Sequence, residues 1–198
     1  MSTTRVRNRA PVFVLGAIAF TCVAFVGVFY GVGSLLEADW KRETSRTVAA
    51  APERVGALVK DLDTWPAWSA MDLKMGSETV RTVSGERGTV GHSLTWSGAR
   101  GKATLTFTEV GADFVEYTYG VVGPKGEVPG WHASGRVAWT PADNGCRIVW
   151  IDRSHWDNLV NRWFAWFGAP QERIAQIQQA TLTGLEEELG KPQGQPPK

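Results

Sequence analysis

Short segments of alternating polar and apolar residues, separated by glycine-containing turns, dominate the middle of this chain. Turns such as Gly111-Ala112-Asp113 and Asp143-Asn144-Gly145 separate consecutive strand candidates. Strands joined by such short turns pair in antiparallel fashion, so the pattern predicts one antiparallel sheet. The predicted strands are Glu78–Ser84, Val90–Ser97, Lys102–Val110, Phe114–Val122, Gly130–Thr140 and Cys146–Trp156.

The segment from Val48 to Ser69 predicts two short helices that follow a first strand at 44–50. Pro52 suits the start of a helix, because the first helical position needs no N–H donor. A Trp65-Pro66-Ala67-Trp68 turn comes next. One apolar face at helical spacing supports the first helix, and its residues are Val55, Leu58, Val59 and Leu62.

A long helix is predicted at the C-terminal end of the chain. It begins around Asn158 and has a break at Gly168-Ala169-Pro170. The final residues, 191–198, are rich in proline and glutamine and are predicted to be disordered. After the break, one stripe faces the sheet, and it consists of Ile174, Ile177, Thr181, Leu182, Leu185 and Leu189.

This order of elements resembles the START-like superfamily, and more narrowly its polyketide cyclase/dehydrase and lipid-transport group. The resemblance covers Ser45 to Leu189, and its motifs are the 48–69 segment, the strand Gly91–Gly98 with its Trp-Ser-Gly end, and the strand Gly145–Trp150. It implies an α+β helix-grip fold, in which a curved antiparallel sheet surrounds a long C-terminal helix. It also implies an apolar cavity between the sheet and that helix.

A separate membrane helix is predicted near the N-terminus. Val12 to Leu36 contains no charged residue over 25 positions. As a helix this stretch spans ~37 Å, against a hydrocarbon core of ~30 Å. A cleaved signal peptide is the alternative, but its apolar region is usually only about 7–15 residues long. We therefore predict a basic segment at 1–11, a retained transmembrane helix at 12–36, a linker at 37–43, a START-like domain at 44–190 and a tail at 191–198.

The charges beside this helix give it a predicted orientation. Three arginines, at positions 5, 7 and 9, precede the helix, and three basic residues follow it by position 46. We predict a single-pass membrane protein with its N-terminus in the cytoplasm and its domain on the outer side. Gly27 and Gly31 match a helix-contact motif that predicts a weak homodimer. The alternative is that glycines are simply frequent in spanning helices.

The charge balance argues against a nucleic-acid partner. Three of the 21 basic and two of the 20 acidic residues lie before Trp40, so the rest of the chain is formally neutral. Nucleic-acid binding needs a basic face. The three histidines have no further ligands at usable spacing, so no metal site is predicted. No cofactor-binding or nucleophile motif is present in the sequence, and no cofactor is predicted.

Strand alternation predicts which residues face the cavity. The turn at 143–145 would place Trp131, Ala133 and Gly135 on the same face as Trp150 and Asp152. Ordinary core packing is the better explanation for any single aromatic, but as a set the aromatics exceed what such a core needs, and their mixture with small residues suits a wall with room beneath the helix. The candidate cavity residues are His92, Leu94, Trp96, Phe107, Tyr117, Tyr119, Trp131, Trp139, Trp150 and Asp152.

Two of these residues carry groups that do acid–base chemistry. Asp152 would orient a ligand or act as an acid or base, or else lie in solvent at the end of its strand. His92 would point inward, where a hydrogen-bonded core role is the alternative. Four aromatics are predicted at the rim of the pocket: Trp65, Trp68, Trp163 and Phe167. The last two would either close the mouth of the pocket or touch the membrane interface.

The sequence therefore predicts a membrane-anchored protein that binds a hydrophobic small molecule or lipid in a START-like cavity. Two other functions stay open. One is a cyclase or dehydratase that uses the same cavity, with Asp152 or His92 as acid or base. The other is an interaction module whose cavity has collapsed. No catalytic residue is assigned.

Overall fold

The computed structural model describes residues 10–71, 78–99, 101–126, 131–167 and 169–192 of the chain. A single N-terminal helix precedes a domain of seven strands and four helices in the described part of the chain. In chain order the elements are α1 Ala10–Leu35, β1 Asp39–Val48, α2 Pro52–Val59, α3 Trp65–Trp68, β2 Val80–Ser84, β3 Ser93–Gly98, β4 Gly101–Val110, β5 Phe114–Val122, β6 Trp131–Ala142, β7 Gly145–Trp156, α4 Leu159–Trp166 and α5 Ala169–Gly190.

The seven strands form one antiparallel sheet in the order β1-β7-β6-β5-β4-β3-β2. Consecutive strands from β2 to β7 are neighbours, and β1 joins the far edge beside β7. Helix α5 lies across the concave face, where it contacts β1 and α3. The predicted α+β helix-grip fold is therefore confirmed.

The predicted pairing of β6 with β7 is also observed. Trp131 pairs with Trp156, and Ala142 pairs with Gly145 across the predicted turn. Gly145 has a φ of +129°, and a Cβ at this position would lie 2.1 Å from the Val48 carbonyl oxygen. Only glycine fits such a turn without strain. Because the turn sets the register, the predicted faces of these two strands follow from it.

The first strand begins earlier than predicted. β1 starts at Asp39, whereas the sequence indicated a strand only from position 44. Along its whole length β1 pairs with β7, from Asp39 opposite His155 to Val48 opposite Cys146. The charged residues at its start resemble a linker because β1 is an edge strand with largely exposed side chains. Most of the predicted linker at 37–43 is therefore part of the sheet.

The closed core lies at the end of the sheet that carries the Gly145 turn. There α2 packs Val55 and Val59 against the concave face, and α5 adds Leu182 and Leu185. The indole of Trp65 fills the space between them, and its Nε1 donates to the Val59 carbonyl at 3.0 Å. A row of large aromatic side chains therefore bridges the gap between one helix and a wide sheet.

Helix α1 stands apart from this core. Within the described residues, Val14–Leu35 is the single helix long and apolar enough to cross a membrane, with a mean hydropathy of 2.1 and none of its most apolar window buried. The same length and composition also fit a signal sequence. Its C-terminal end leads directly into β1, so the sheet begins at the end of this apolar helix.

The crossing of α3 and α5 generates a test of the fold. A Cβ at Gly184 would lie 2.2 Å from the Trp68 carbonyl oxygen. We expect Gly184→Ala to destabilise the domain by about 1–3 kcal/mol through overpacking. Thermal unfolding of the full chain, followed by near-ultraviolet circular dichroism, should show a Tm lowered by roughly 3–10 °C.

Gly190→Ala in the same helix is the control, because no atom lies within 4 Å of its added Cβ. Equal Tm values for the two variants would contradict this packing.

Candidate functional site

A small cavity lies between α5 and the concave face, on the side of the closed core that faces α1. It is half open, and the enclosed space measures about 40 Å³. That is room for about three water molecules. The cavity is lined by Trp40, Met71, Tyr117, Tyr119, Ala133, Trp150, Asp152, Ile174, Ile177, Gln178 and Thr181.

Asp152 gives this mostly apolar cavity a polar wall. The Tyr117 hydroxyl donates a very short hydrogen bond to Oδ1 of Asp152. Gln178 Nε2, from α5, donates to Oδ2 at 2.7 Å. Trp150 Nε1 donates to the Tyr117 hydroxyl at 2.7 Å and lies 3.4 Å from Asp152 Oδ1. Thr44 completes this group, which we call the Asp152 cluster, by donating to Gln178 Oε1 at 2.7 Å.

The hydrogen bonds of the Asp152 cluster are mutually consistent. Because Thr44 donates to the amide oxygen of Gln178, the amide nitrogen of Gln178 faces Asp152 as a donor. Asp152 therefore accepts from each of these neighbours, as an ionised carboxylate does. Trp150, Tyr117 and Gln178 are almost fully buried. A buried group with satisfied partners has a fixed orientation, so the carboxylate is held in one position on the cavity wall.

A glycine makes this arrangement possible. Gly135 on β6 pairs with Asp152 on one side and with Tyr117 on the other. A Cβ at Gly135 would lie 2.2 Å from the Tyr117 hydroxyl and 2.6 Å from Asp152 Oδ1. Any larger residue would push these two groups away from each other. The absence of a side chain at position 135 therefore permits the hydrogen bond across the strand.

The cavity changes the ionisation of both of its tyrosines. Burial raises the pKa of Tyr117 well above its ordinary value, and the adjacent Asp152 carboxylate raises this pKa further. Burial also raises the pKa of Tyr119, to about 12. Both hydroxyls are therefore neutral at physiological pH and can donate hydrogen bonds there.

The structure brings together four of the predicted cavity residues. Tyr117, Tyr119, Trp150 and Asp152 line the cavity. The side chain of Trp131 lies outside the described part of the structure. The other five candidates are buried and do not line the cavity: His92, Leu94, Trp96, Phe107 and Trp139. Alternation predicts the face of a strand, but it does not predict which residues of that face border the open space.

His92 has a structural position. Its ring is buried and packs edge-on against Phe107, with ring centroids 5.7 Å apart. The Gly88 backbone N–H donates to Nδ1 of His92 at 3.3 Å. This arrangement holds the turn before β3 and lies away from the Asp152 cluster.

The four predicted rim residues separate into two pairs. Trp65 and Trp68 are buried in the closed core, with ring centroids 4.9 Å apart. Trp163 and Phe167 lie at the other end of the sheet, and their rings stack at 6.1 Å. Trp163 contacts α1 rather than the cavity, because its Nε1 donates to the Phe29 carbonyl at 3.2 Å.

Sequence reasoning missed several residues of the cavity wall. The predicted linker at 37–43 includes Trp40, which lines the cavity because β1 starts at Asp39. Gln178 is not among the predicted cavity residues, although it lies between Ile177 and Thr181 on the apolar stripe of α5. A polar residue next to such a stripe, at a position that faces the sheet, was the available signal.

Trp40 also lines a second space. A groove of about 440 Å³ lies between the end of α1, the start of β1 and α4. Trp40 is shared by this groove and the cavity, so the two spaces meet at this residue. Its Nε1 is buried and has no hydrogen-bond partner among the described residues. Moving this side chain would therefore break no hydrogen bond of its indole.

The described residues offer no site for a metal ion. Nowhere within them do three His, Cys, Asp or Glu side chains come together closely enough to ligate one. The described site offers an anchored carboxylate and two neutral hydroxyls beside apolar side chains.

The fold and its cavity define a START-like helix-grip protein. The family model described as polyketide cyclase/dehydrase and lipid transport matches residues 39–190. The chain therefore belongs to this family. No curated protein shows significant similarity to the sequence.

Several solved structures share the fold. An uncharacterised protein from Rhizobium leguminosarum matches with a TM-score of 0.57 and 16% identity, over 76% of this chain and 94% of that one. A protein from Chromobacterium violaceum matches with a TM-score of 0.52 and 16% identity, over 77% and 98% of the two chains. Norcoclaurine synthase from Thalictrum flavum, in complex with dopamine and hydroxybenzaldehyde, matches with a TM-score of 0.55 and 14% identity, over 82% and 94%. At these identities the likeness shows the fold alone.

The two buried tyrosines predict an alkaline transition. Tyrosines in an unfolded chain ionise near pH 10, and those of the cavity ionise at higher pH. The stability that their burial provides is therefore complete below about pH 10 and is lost as the pH rises towards 12 and beyond. In the native full chain at about pH 11, tyrosinate absorbance should not exceed the contribution of one of the three tyrosines, whereas the chain in guanidinium should show all three. A complete tyrosinate signal from a chain that keeps its native circular dichroism would contradict the burial of Tyr117 and Tyr119.

Proposed function

We propose that this chain is a membrane-anchored binding protein for a hydrophobic small molecule or lipid. In this proposal residues 12–36 form a retained single-pass anchor, with the N-terminus in the cytoplasm and the domain that begins with β1 on the outer side. The observation that carries the binding function is the half-open cavity under α5, with apolar walls and the Asp152 cluster at one side. Family membership supports it, since the family model is described by cyclase, dehydrase and lipid-transport functions.

The cavity combines apolar burial with a means of orienting a ligand. Ile174 and Ile177 of α5 line it together with Trp40 and Met71. Burying an apolar ligand there would contribute roughly 25 cal/mol per Å² of apolar surface removed from water. The fixed carboxylate of Asp152 would bind a hydroxyl or amine on that ligand. A mostly apolar site with a few polar groups is typical of small-molecule binding.

The size of the cavity requires it to open. Its enclosed space is about 40 Å³, whereas ligand pockets usually have volumes of about 300–1,000 Å³. The neighbouring groove of about 440 Å³ would supply the missing space if Trp40 moved. The unpartnered indole nitrogen of Trp40 favours such a movement. We therefore infer that a ligand displaces Trp40 and occupies both spaces.

The anchor would place this opening beside the bilayer. The groove is lined by Leu35 and Leu36, at the end of the apolar helix. Hydrophobic ligands concentrate in membranes, so a tethered site samples them at high local concentration. Homodimerisation through Gly27 and Gly31 stays a prediction, and neither glycine has an atom within 4 Å of its added Cβ.

A filled-cavity variant tests ligand binding. Ala133 lines the cavity, while Ala138 on the same strand faces the opposite side of the sheet. We expect Ala133→Leu to weaken binding of an apolar fluorescent probe, N-phenyl-1-naphthylamine, by about tenfold, because the added side chain occupies the ligand space. Binding would be titrated with the full chain in amphipol, after subtraction of the signal from empty amphipol.

Ala138→Leu is the matched control for this titration. It adds the same side chain on the other face and should bind the probe like the natural sequence. If both variants show the same saturable binding of the probe, the probe does not bind in this cavity, and the proposed site is wrong. Absence of saturable binding by the natural sequence would favour the interaction module with a collapsed cavity, which the small enclosed volume supports.

An enzyme of the cyclase or dehydratase type is the second candidate, and the Asp152 cluster is the observation that favours it. A carboxylate beside a neutral tyrosine hydroxyl is able to act as a base or acid on a bound substrate. Asp152→Asn should then abolish turnover of a polyketide-like test substrate while probe binding stays within about threefold of the natural value. If no turnover is measurable with the natural sequence, or if Asp152→Asn retains it, the enzymatic role is excluded.

A further inference from the structure

Helix α4 is attached directly to the predicted membrane helix. Trp163 Nε1 donates to the Phe29 carbonyl at 3.2 Å, and the Trp163 and Phe29 rings stack with centroids 5.9 Å apart. One turn earlier in α4, Leu159 contacts α1 at Gly33. Leu159 and Trp163 are four residues apart, so they lie on the same face of α4. This face holds α4 against the last turns of α1.

Gly33 makes the close approach possible. It is buried, whereas the other described residues of the apolar span are mostly exposed. A Cβ at Gly33 would lie 2.8 Å from Trp163 Nε1 and 3.3 Å from Leu159 Cδ2. A larger side chain at this position would push α4 off the span. Gly16, by contrast, has no atom within 4 Å of its added Cβ.

The contact fixes the depth of α4 relative to a bilayer. Phe29 precedes the end of α1 at Leu35 by six residues, which is ~9 Å along a helix. The 22-residue span Val14–Leu35 is ~33 Å long and only slightly exceeds a ~30 Å hydrocarbon core. When α1 crosses the bilayer with Leu35 at the boundary of the hydrocarbon layer, Phe29 lies up to ~9 Å inside that boundary, within the ~5–10 Å depth that an interfacial helix reaches. A residue bonded to the Phe29 carbonyl must lie at the same level.

The apolar face of α4 continues beyond this contact. Trp166 and Phe167 follow Trp163 at the helical spacing of three and four residues, and their rings contact that of Trp163. Both are largely exposed, Trp166 by 61% and Phe167 by 70%. Exposed aromatic side chains at the level of a membrane boundary are typical of the interfacial aromatic belt. In water the same pair would be an unfavourable apolar patch.

We propose that α4 is an interfacial helix and that Trp166 and Phe167 insert into the bilayer beside α1. This proposal rests on the membrane anchoring in the proposed function and adds a second, lateral contact to it. The two contacts together prevent the domain from swinging freely on its tether. They hold the groove between α1 and α4, and hence the Trp40 side of the cavity, against the membrane surface.

Depth-dependent quenching in vesicles tests this contact. The full chain with Cys22→Ala and Phe167→Cys would carry a nitrobenzoxadiazole label at 167, in phosphatidylcholine vesicles that contain a lipid spin-labelled near the headgroup. Cys146 is fully buried and stays in place. A label ~5–10 Å below the surface should lose about two thirds of its fluorescence. A label at Val90→Cys, which is 64% exposed in the turn before β3, should lose little.

A variant with a larger residue at Gly33 gives the second readout. Gly33→Leu should displace Trp163 and lower the quenching of the label at 167 towards that of the label at 90. Gly16→Leu is the control, with the same substitution in the same helix, and should keep the quenching of the parent. Both variants should still float with the vesicles after an alkaline wash, because α1 remains intact.

The outcomes separate this inference from the anchoring on which it rests. A chain that is washed off the vesicles overturns the anchoring and this inference together. A chain that floats, with the label at 167 no more quenched than the label at 90, overturns the interfacial role of α4 alone. An unquenched label at 167, together with a disulfide between copies when the unlabelled Phe167→Cys chain is treated with an oxidant, assigns the aromatic pair to a protein contact instead. Equal quenching in Gly33→Leu and Gly16→Leu also contradicts the role of the Trp163 contact.

Discussion

One helix has to cover the concave face of a seven-stranded sheet, and the rest of the domain depends on that constraint. A helix with its side chains is only about 10–12 Å wide, so α5 alone cannot fill the space beneath it. At the Gly145 end of the sheet, leucines of α5 and the indole of Trp65 fill that space. Towards α1 the stripe of α5 changes to Ile174, Ile177 and Gln178, and the cavity begins there.

The position of the polar wall follows from this division. Asp152 lies where the closed core ends, and it accepts hydrogen bonds from Tyr117 of β5 and Gln178 of α5. Thr44 of β1 in turn donates to Gln178. A carboxylate at this boundary is tolerated because its hydrogen bonds compensate for lost hydration. The Asp152 cluster therefore ties α5 to the sheet beside the cavity, and it offers a ligand one oriented charge.

Much of the fold can be predicted from the local pattern of the sequence. The glycine turns and the alternation of β6 and β7 predict the pairing that the structure shows, because a short turn sets the register of the strands that it joins. The start of β1 cannot be predicted in the same way, because an exposed edge strand with charged residues has the same sequence pattern as a linker. Where such a strand begins is decided by the strand with which it pairs. That partner, β7, lies more than a hundred residues further along the chain.

The candidate site is harder to predict from the sequence than the fold. Alternation places Tyr117 and Asp152 on the inner face, but it also places Trp96 and Trp139 there, and the structure buries those two in the core. What separates them is the path of α5 over the sheet, which is a tertiary property. Gln178 and Gly135 matter through contacts with residues distant in sequence. Gln178 carries only the signal of a polar residue beside an apolar stripe, and Gly135 carries no local signal of its role.

The central claim is that the cavity takes up an apolar ligand at the membrane. Native mass spectrometry of the full-length chain, extracted from membranes without exchange of bound lipid, tests it most directly. We predict one apolar molecule per chain, released when the protein unfolds and reduced in amount in a chain with a filled cavity. A chain that carries no apolar molecule, or that carries lipid in the same amount when the cavity is filled, would contradict this account.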